Sequence, residues 1–216
     1  PPGTIIADDF VMFTQVDTLD PGEEVVAVFE ARPMKRDRRV ERLRDWPQCE
    51  AQIARLPLPY QSLVRTRLEE AGGRRGELVA AIESLEGEDA LEAIAFLLAF
   101  IPERDLTTIS ADLLAGHVEE AVAIRRTSPF CRDLPDEIFL NDVLPHMFVG
   151  ERRESWRPEL RERFAEIAWS APTQAEAVHR LDQELWKRMG VVYPPSKRPK
   201  TDQSPSETID CGVASC

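Results

Sequence analysis

From residue 77 to residue 189 the apolar residues recur at intervals of three and four, the spacing that lines one face of an α-helix. Segments 77–85 and 90–101 carry this pattern most strongly. Leu113, Leu114, Val118 and Val122 repeat it in a stretch reaching about Arg126, and Val178, Leu181, Leu185 and Met189 repeat it again. A chain patterned in this way buries helix faces against one another, as in a bundle. The punctuation agrees. Ser110 is placed to cap the helix that follows it. Asp136 and Glu137 stand in the first turn of a helix expected over 135–144, where the helix dipole favours acids. Pro158 suits the first turn of a helix reaching Trp169. Thr173-Gln174-Ala175-Glu176 is a capping box, and its helix should end near Gly190. Ser204-Pro205-Ser206-Glu207 combines a second capping box with Pro at the first helical position, so a short helix should run to about Cys211 and stop at Gly212. Between them Val191-Val192-Tyr193 reads as a short extended segment, ended by Pro194-Pro195.

The first 33 residues differ. Ile5-Ile6, Phe10-Val11-Met12-Phe13 and Val25-Val26-Ala27-Val28-Phe29 are short apolar runs, with Asp20-Pro21-Gly22 between the last two, and predict a small β element. With 216 residues and 43% of them apolar, the chain can build a sizeable core. No apolar run approaches the ~18 residues of a membrane span. A net charge of -12 argues against nucleic acid as a main partner. The basic runs Arg152 to Arg163 and Lys197 to Lys200 read as solvated faces. Cys49, Cys131, Cys211 and Cys216 lack zinc-site spacing and do not report a compartment. His117 and His179, in helical patterns beside acids, read as surface or boundary residues, and His146 follows Pro145 at a helix end. Trp156, Trp169 and Trp186 read as core, and the Glu119-Glu120 pair as a solvated face.

Four ordered motifs carry a resemblance. They are Pro135-Asp136-Glu137-Ile138-Phe139-Leu140-Asn141-Asp142-Val143-Leu144-Pro145, then Glu151-Arg152-Arg153-Glu154-Ser155-Trp156-Arg157, then Lys197-Arg198-Pro199-Lys200-Thr201-Asp202-Gln203-Ser204-Pro205, then Gly212-Val213-Ala214-Ser215-Cys216. In this order they resemble a bacterial branch of the transglutaminase-like superfamily over roughly residues 90 to 216. The resemblance implies a mostly α chain in which a helical region leads into the first part of an α+β papain-like domain. On that division residues 1–33 are a β-rich segment, 34–130 a helical region, and 131–216 the N-terminal part of the transglutaminase-like domain.

The same resemblance implies that Cys216 is a nucleophile at the start of a central helix, with a His and an Asp further along the chain. A thiol at a helix N-terminus faces unpaired N–H groups and the positive end of the dipole, both of which favour thiolate. Ser215 could cap that helix, small Gly212 and Ala214 would admit a substrate backbone, and the N–H of Cys216 would be one oxyanion donor. Gln203 is a candidate second donor; the competing reading is that it simply precedes a helix cap. For Cys216 the competing reading is a buried inert thiol. The implied chemistry is acyl transfer through a thioester on a protein or peptide substrate, with hydrolysis favoured over cross-linking and no metal or organic cofactor. A non-catalytic helical scaffold with a degenerate fold of the same type is the alternative. Beginning at Pro1 and ending at the Cys, the chain reads as an inactive fragment of a bacterial protein, of periplasmic or secreted type, its oligomeric state open.

Overall fold

Because the apolar repeat runs at 3.6 residues nearly throughout, the chain folds as helices. The computed structural model describes residues 46–147, 151–192 and 202–214; the β element expected over 1–33 lies outside them, as do Tyr193 and the proline pair, Ser215 and Cys216. The helices are α1 Trp46–Ile53, α2 Leu58–Glu70, a 3₁₀ turn Gly72–Arg74, α3 Arg75–Glu83, α4 Glu88–Ala99, α5 Glu103–Thr108, α6 Ala111–Thr127, α7 Asp136–Ile138, α8 Arg157–Trp169, α9 Gln174–Met189 and α10 Pro205–Cys211. A π turn, Phe139–Val143, continues α7, and Leu144 N donates to Phe139 O five residues back at 2.9 Å. The described residues form no sheet. Their only extended pairing is an isolated parallel bridge between Val192 and Val213.

Helices α1 to α6 make a bundle in which α2 lies on α4, and α3 and α4 both lie on α6. Its centre is Ile53, Leu68, Leu78, Ile82, Ile94, Leu98 and Leu114, all closed to solvent, each contributing about 1.5–3 kcal/mol by burial. Phe139, Leu140 and Leu144 of the π turn complete the core. Helix ends inside it find partners, as buried backbone must. Arg55 donates to Ile82 O at 3.1 Å and Leu85 O at 2.7 Å, satisfying carbonyls at the end of α3. Glu77, buried in α3, accepts from Ala111 N at 2.9 Å at the start of α6, where Ser110 Oγ also accepts from Leu113 N.

Helices α8 and α9 form a hairpin on each other, and α8 meets α6. Pro158 is in the first turn of α8, Thr173 Oγ1 accepts from Glu176 N, and Gly190 ends α9 in the left-handed region at φ 65°. The hairpin is thinly buried: Phe164 in α8 and Ala177 in α9 are its closed apolar positions. Trp169 and Trp186, expected in the core, are 38% and 47% exposed, Trp169 at the open groove beside α6.

Candidate functional site

The segment Glu151 to Trp156 is a strap between the bundle and α10, and its side chains alternate between the two. Arg153 reaches into the bundle. Its Nε donates to Asp105 Oδ1 at 2.7 Å, and its Nη1 donates to Glu151 O. Asp105, on α5 and fully closed to solvent, takes a second bond on Oδ2 from His146 Nε2 at 2.9 Å. A carboxylate only accepts, so His146 carries its proton on Nε2. Trp156 Nε1 in turn donates to His146 O at 3.2 Å. The rings of His146 and Trp156 lie 6.0 and 6.1 Å from that of His117. Burial alone would raise the Asp105 carboxyl, and the bonds from His146 and Arg153 outweigh it and hold the group below the usual aspartate range.

His117 is buried on α6 and its Nε2 donates to Glu154 O at 2.8 Å. Burial pushes this ring down to about 4, and the nearby charges of Arg157 and His146 act in the same direction. It is therefore a neutral histidine at physiological pH. The boundary role read from its acidic neighbours is corrected by the fold: the ring is on the α6 face that meets the strap. His179 is exposed on α9. The basic run is corrected in the same way, since Arg153 and Arg157 turn inward. Arg157 gives Nη2 to Val143 O, Leu144 O and Pro145 O at 2.6, 3.0 and 2.6 Å, which serves the carbonyl end of the π turn. Burial lowers its guanidinium to about 10, which leaves it charged at neutral pH.

Glu154 faces the other way. Its Oε2 accepts from Ser204 Oγ at 2.8 Å and its Oε1 from Ser206 N at 2.7 Å. Ser204 Oγ also accepts from Glu207 N, and Glu207 Oε2 accepts from Ser204 N, closing the capping box foreseen in the sequence. Arg152 N adds a bond to Asp202 O at 2.9 Å. With Pro205 lacking an N–H, the first turn of α10 has its free donors taken.

From that fixed start α10 runs to Cys211 and Gly212 turns the chain at φ 68°. A Cβ at Gly212 would stand 3.3 Å from Gly190 O, so the position combines a left-handed backbone with a close approach. Val192 N donates to Gly212 O and Ala214 N to Val192 O, both at 2.9 Å. Gln203 is buried under this loop. Its Nε2 donates to Val213 O at 2.8 Å and to Cys211 Sγ at 3.0 Å, while Oε1 is closed to solvent with no partner. The two amide hydrogens are thus both engaged in the loop that leads toward Cys216. Cys211 itself is exposed.

Among the described residues no three His, Cys, Asp or Glu side chains gather as a metal site. The buried Asp105–His146 pair faces Arg153 and aromatic rings, which suits it to holding the strap in place rather than to moving a proton to a substrate. Comparison with protein-family models, curated proteins and solved structures finds no match.

Proposed function

We propose that this chain belongs to a transglutaminase-like cysteine acyl-transferase in which Cys216 is the nucleophile and water the usual acceptor. The observation that carries the reading is the construction of the segment immediately before Cys216. A helix with a capped and saturated start, a left-handed Gly212, a backbone bridge to Val192 and a buried Gln203 together fix the course of residues 202–214. Such fixing is costly for a surface loop, and it is what a nucleophile needs from the residues that lead to it.

The chemistry follows from the residue types. A Cys216 thiolate attacks the carbonyl carbon of a carboxamide, the C–N bond breaks, and ammonia or an amine leaves with a proton from a histidine general acid. Water then adds to the thioester, a carboxylic acid departs, and the thiol is restored. This reading assigns the histidine and its orienting aspartate to sequence after Cys216. Gln203 has the role of holding Val213. For it to donate to an oxyanion as well, one Nε2 hydrogen has to leave Cys211 Sγ, the weaker of its two acceptors.

The test uses protein expressed from the gene with its reading frame continued past Cys216. Incubation with a glutamine peptide should release ammonia, and rapid quenching should trap an acyl adduct on Cys216 by mass spectrometry. Cys216→Ser should abolish both. Release of ammonia that survives this substitution would overturn the reading, and so would the absence of a downstream His and Asp, which would favour a scaffold.

A further inference from the structure

We propose that the groove between the end of α6 and the α8–α9 hairpin binds a small apolar monocarboxylate. The groove has a volume of about 330 Å³, and Phe130, Leu160, Phe164, Trp169, Val178 and Leu181 are among its walls. That volume falls in the range of small-molecule sites, which are mostly apolar with a few placed polar groups. The placed polar group here is Arg157, which lines the groove and is only 6% exposed.

Arg157 is an unusual floor for an apolar cleft. Its Nη2 is spent on three carbonyl oxygens, and its Nε–H is sealed from water with no acceptor. Glu120, the carboxylate whose charge acts on it, pairs instead with Arg161 at 2.8 Å. The fold therefore holds a buried cation whose Nη2 is filled and whose Nε–H is not. An unfilled donor of this kind is costly, and a charge-assisted bond to a carboxylate is the strongest remedy available to it. Trp156 stacks over the guanidinium at 4.6 Å and also lines the groove, and binding requires that this ring turn, releasing its bond to His146 O, so that Nε–H opens to the cleft. Nε–H offers a charge-assisted bond to a carboxylate oxygen. A phosphate would leave its further oxygens facing Phe130, Phe164 and the other apolar walls. Arg161 also lines the groove, but its charge is met by Glu120, which leaves Arg157 as the cation open to a ligand.

Isothermal titration of the full chain with phenylbutyrate tests this, with phenylbutanol as the neutral ligand of the same shape. Phenylbutyrate should bind once per chain and about tenfold or more tighter than the alcohol, the ratio expected when a charge-assisted bond is made or missing. Arg157→Gln should remove that preference. Because Arg157 also braces the π turn, a second variant is needed: Ala165→Trp fills the groove, leaves Arg157 in place, and should abolish binding with the helical circular dichroism unchanged. Equal affinity for acid and alcohol would overturn the proposal, as would phenylbutyrate binding that survives Ala165→Trp. No binding of either ligand at millimolar concentration would also overturn it. So would self-association of the chain that Ala165→Trp abolishes, because the groove would then belong to a second copy.

Discussion

At the scale of single residues, Asp105 and His117 decide how the protein responds to acid. His117 has a folded value of about 4 against an ordinary histidine value of 6.5, so between those pH values the unfolded chain holds a proton that the folded chain refuses. Stability from this group is complete above pH 6.5 and is lost as the pH falls toward 4, by about 3 kcal/mol at most. The depressed Asp105 carboxyl adds a separate loss below the ordinary aspartate range, as its protonation breaks the bonds from Arg153 and His146. Urea denaturation at a series of pH values should show both phases. His117→Asn, which keeps a donor for Glu154 O, should flatten the first and spare the second; an unchanged profile would show that the ring protonates freely in the fold. Asp105→Ala leaves Arg153 and His146 facing each other without their acceptor. Breaking a buried pair in this way costs about 3–5 kcal/mol, and a melting temperature lower by ~10 °C is the expected reading.

At the scale of elements, α10 is the piece whose position matters most for the proposed chemistry, and it is held by Glu154 rather than by its own short length. Seven residues make too short a helix to be stable alone. Glu154→Ala removes the acceptor of Ser206 N and Ser204 Oγ, at a cost of about 2 kcal/mol, and should speed amide exchange at Ser206 and Glu207 while α4 keeps its protection. Glu154→Gln, which keeps one oxygen acceptor, should restore part of that protection; exchange in Glu154→Gln as slow as in the native protein would remove the charge from the argument. Gly212→Ala places a side chain in the left-handed region against Gly190 O and should cost about 1–2 kcal/mol. The contrast with what the sequence displays is instructive. The caps at Ser110, Thr173 and Ser204 and the stops at Gly190 and Gly212 were legible because each is a bargain among residues within four positions. The Asp105–His146–Arg153 cluster was not, since its members are 41 and 48 residues apart and each looks like an ordinary surface residue on its own. A signal did exist. Asp105 stands four residues from both Ile101 and Ile109, and His117 three from Leu114 and four from Ala121, which places both on apolar faces. Gln203 was found as a candidate, but the bonds of its amide depend on where Gly212 turns the chain back.

At the scale of the whole described molecule, burial is divided unequally, and this sets an order of opening. The bundle α1 to α6 has most of its large apolar side chains closed to solvent, Leu58 and Leu63 on the outside of α2 excepted, whereas the α8–α9 hairpin rests on Phe164, Ala177 and the edge of α6, with Val178 and Trp186 in water. Regions with few buried contacts open at lower free energy than the core they rest on. Amides of α2, α4 and α6, such as those of Leu68, Leu98 and Val118, should therefore exchange only through global unfolding. Amides in the middle of α9 should exchange several kcal/mol sooner. Phe164→Ala should widen that gap, because a truncated phenylalanine costs about 3–5 kcal/mol and the loss falls on the hairpin alone. Hydrogen exchange followed by mass spectrometry on native protein separates the cases. If α9 and α4 exchange together before and after the substitution, the hairpin and bundle are one cooperative unit. In the expected case, the hairpin is the adjustable wall of the groove that Arg157 floors, and a ligand there would slow exchange in α9 first.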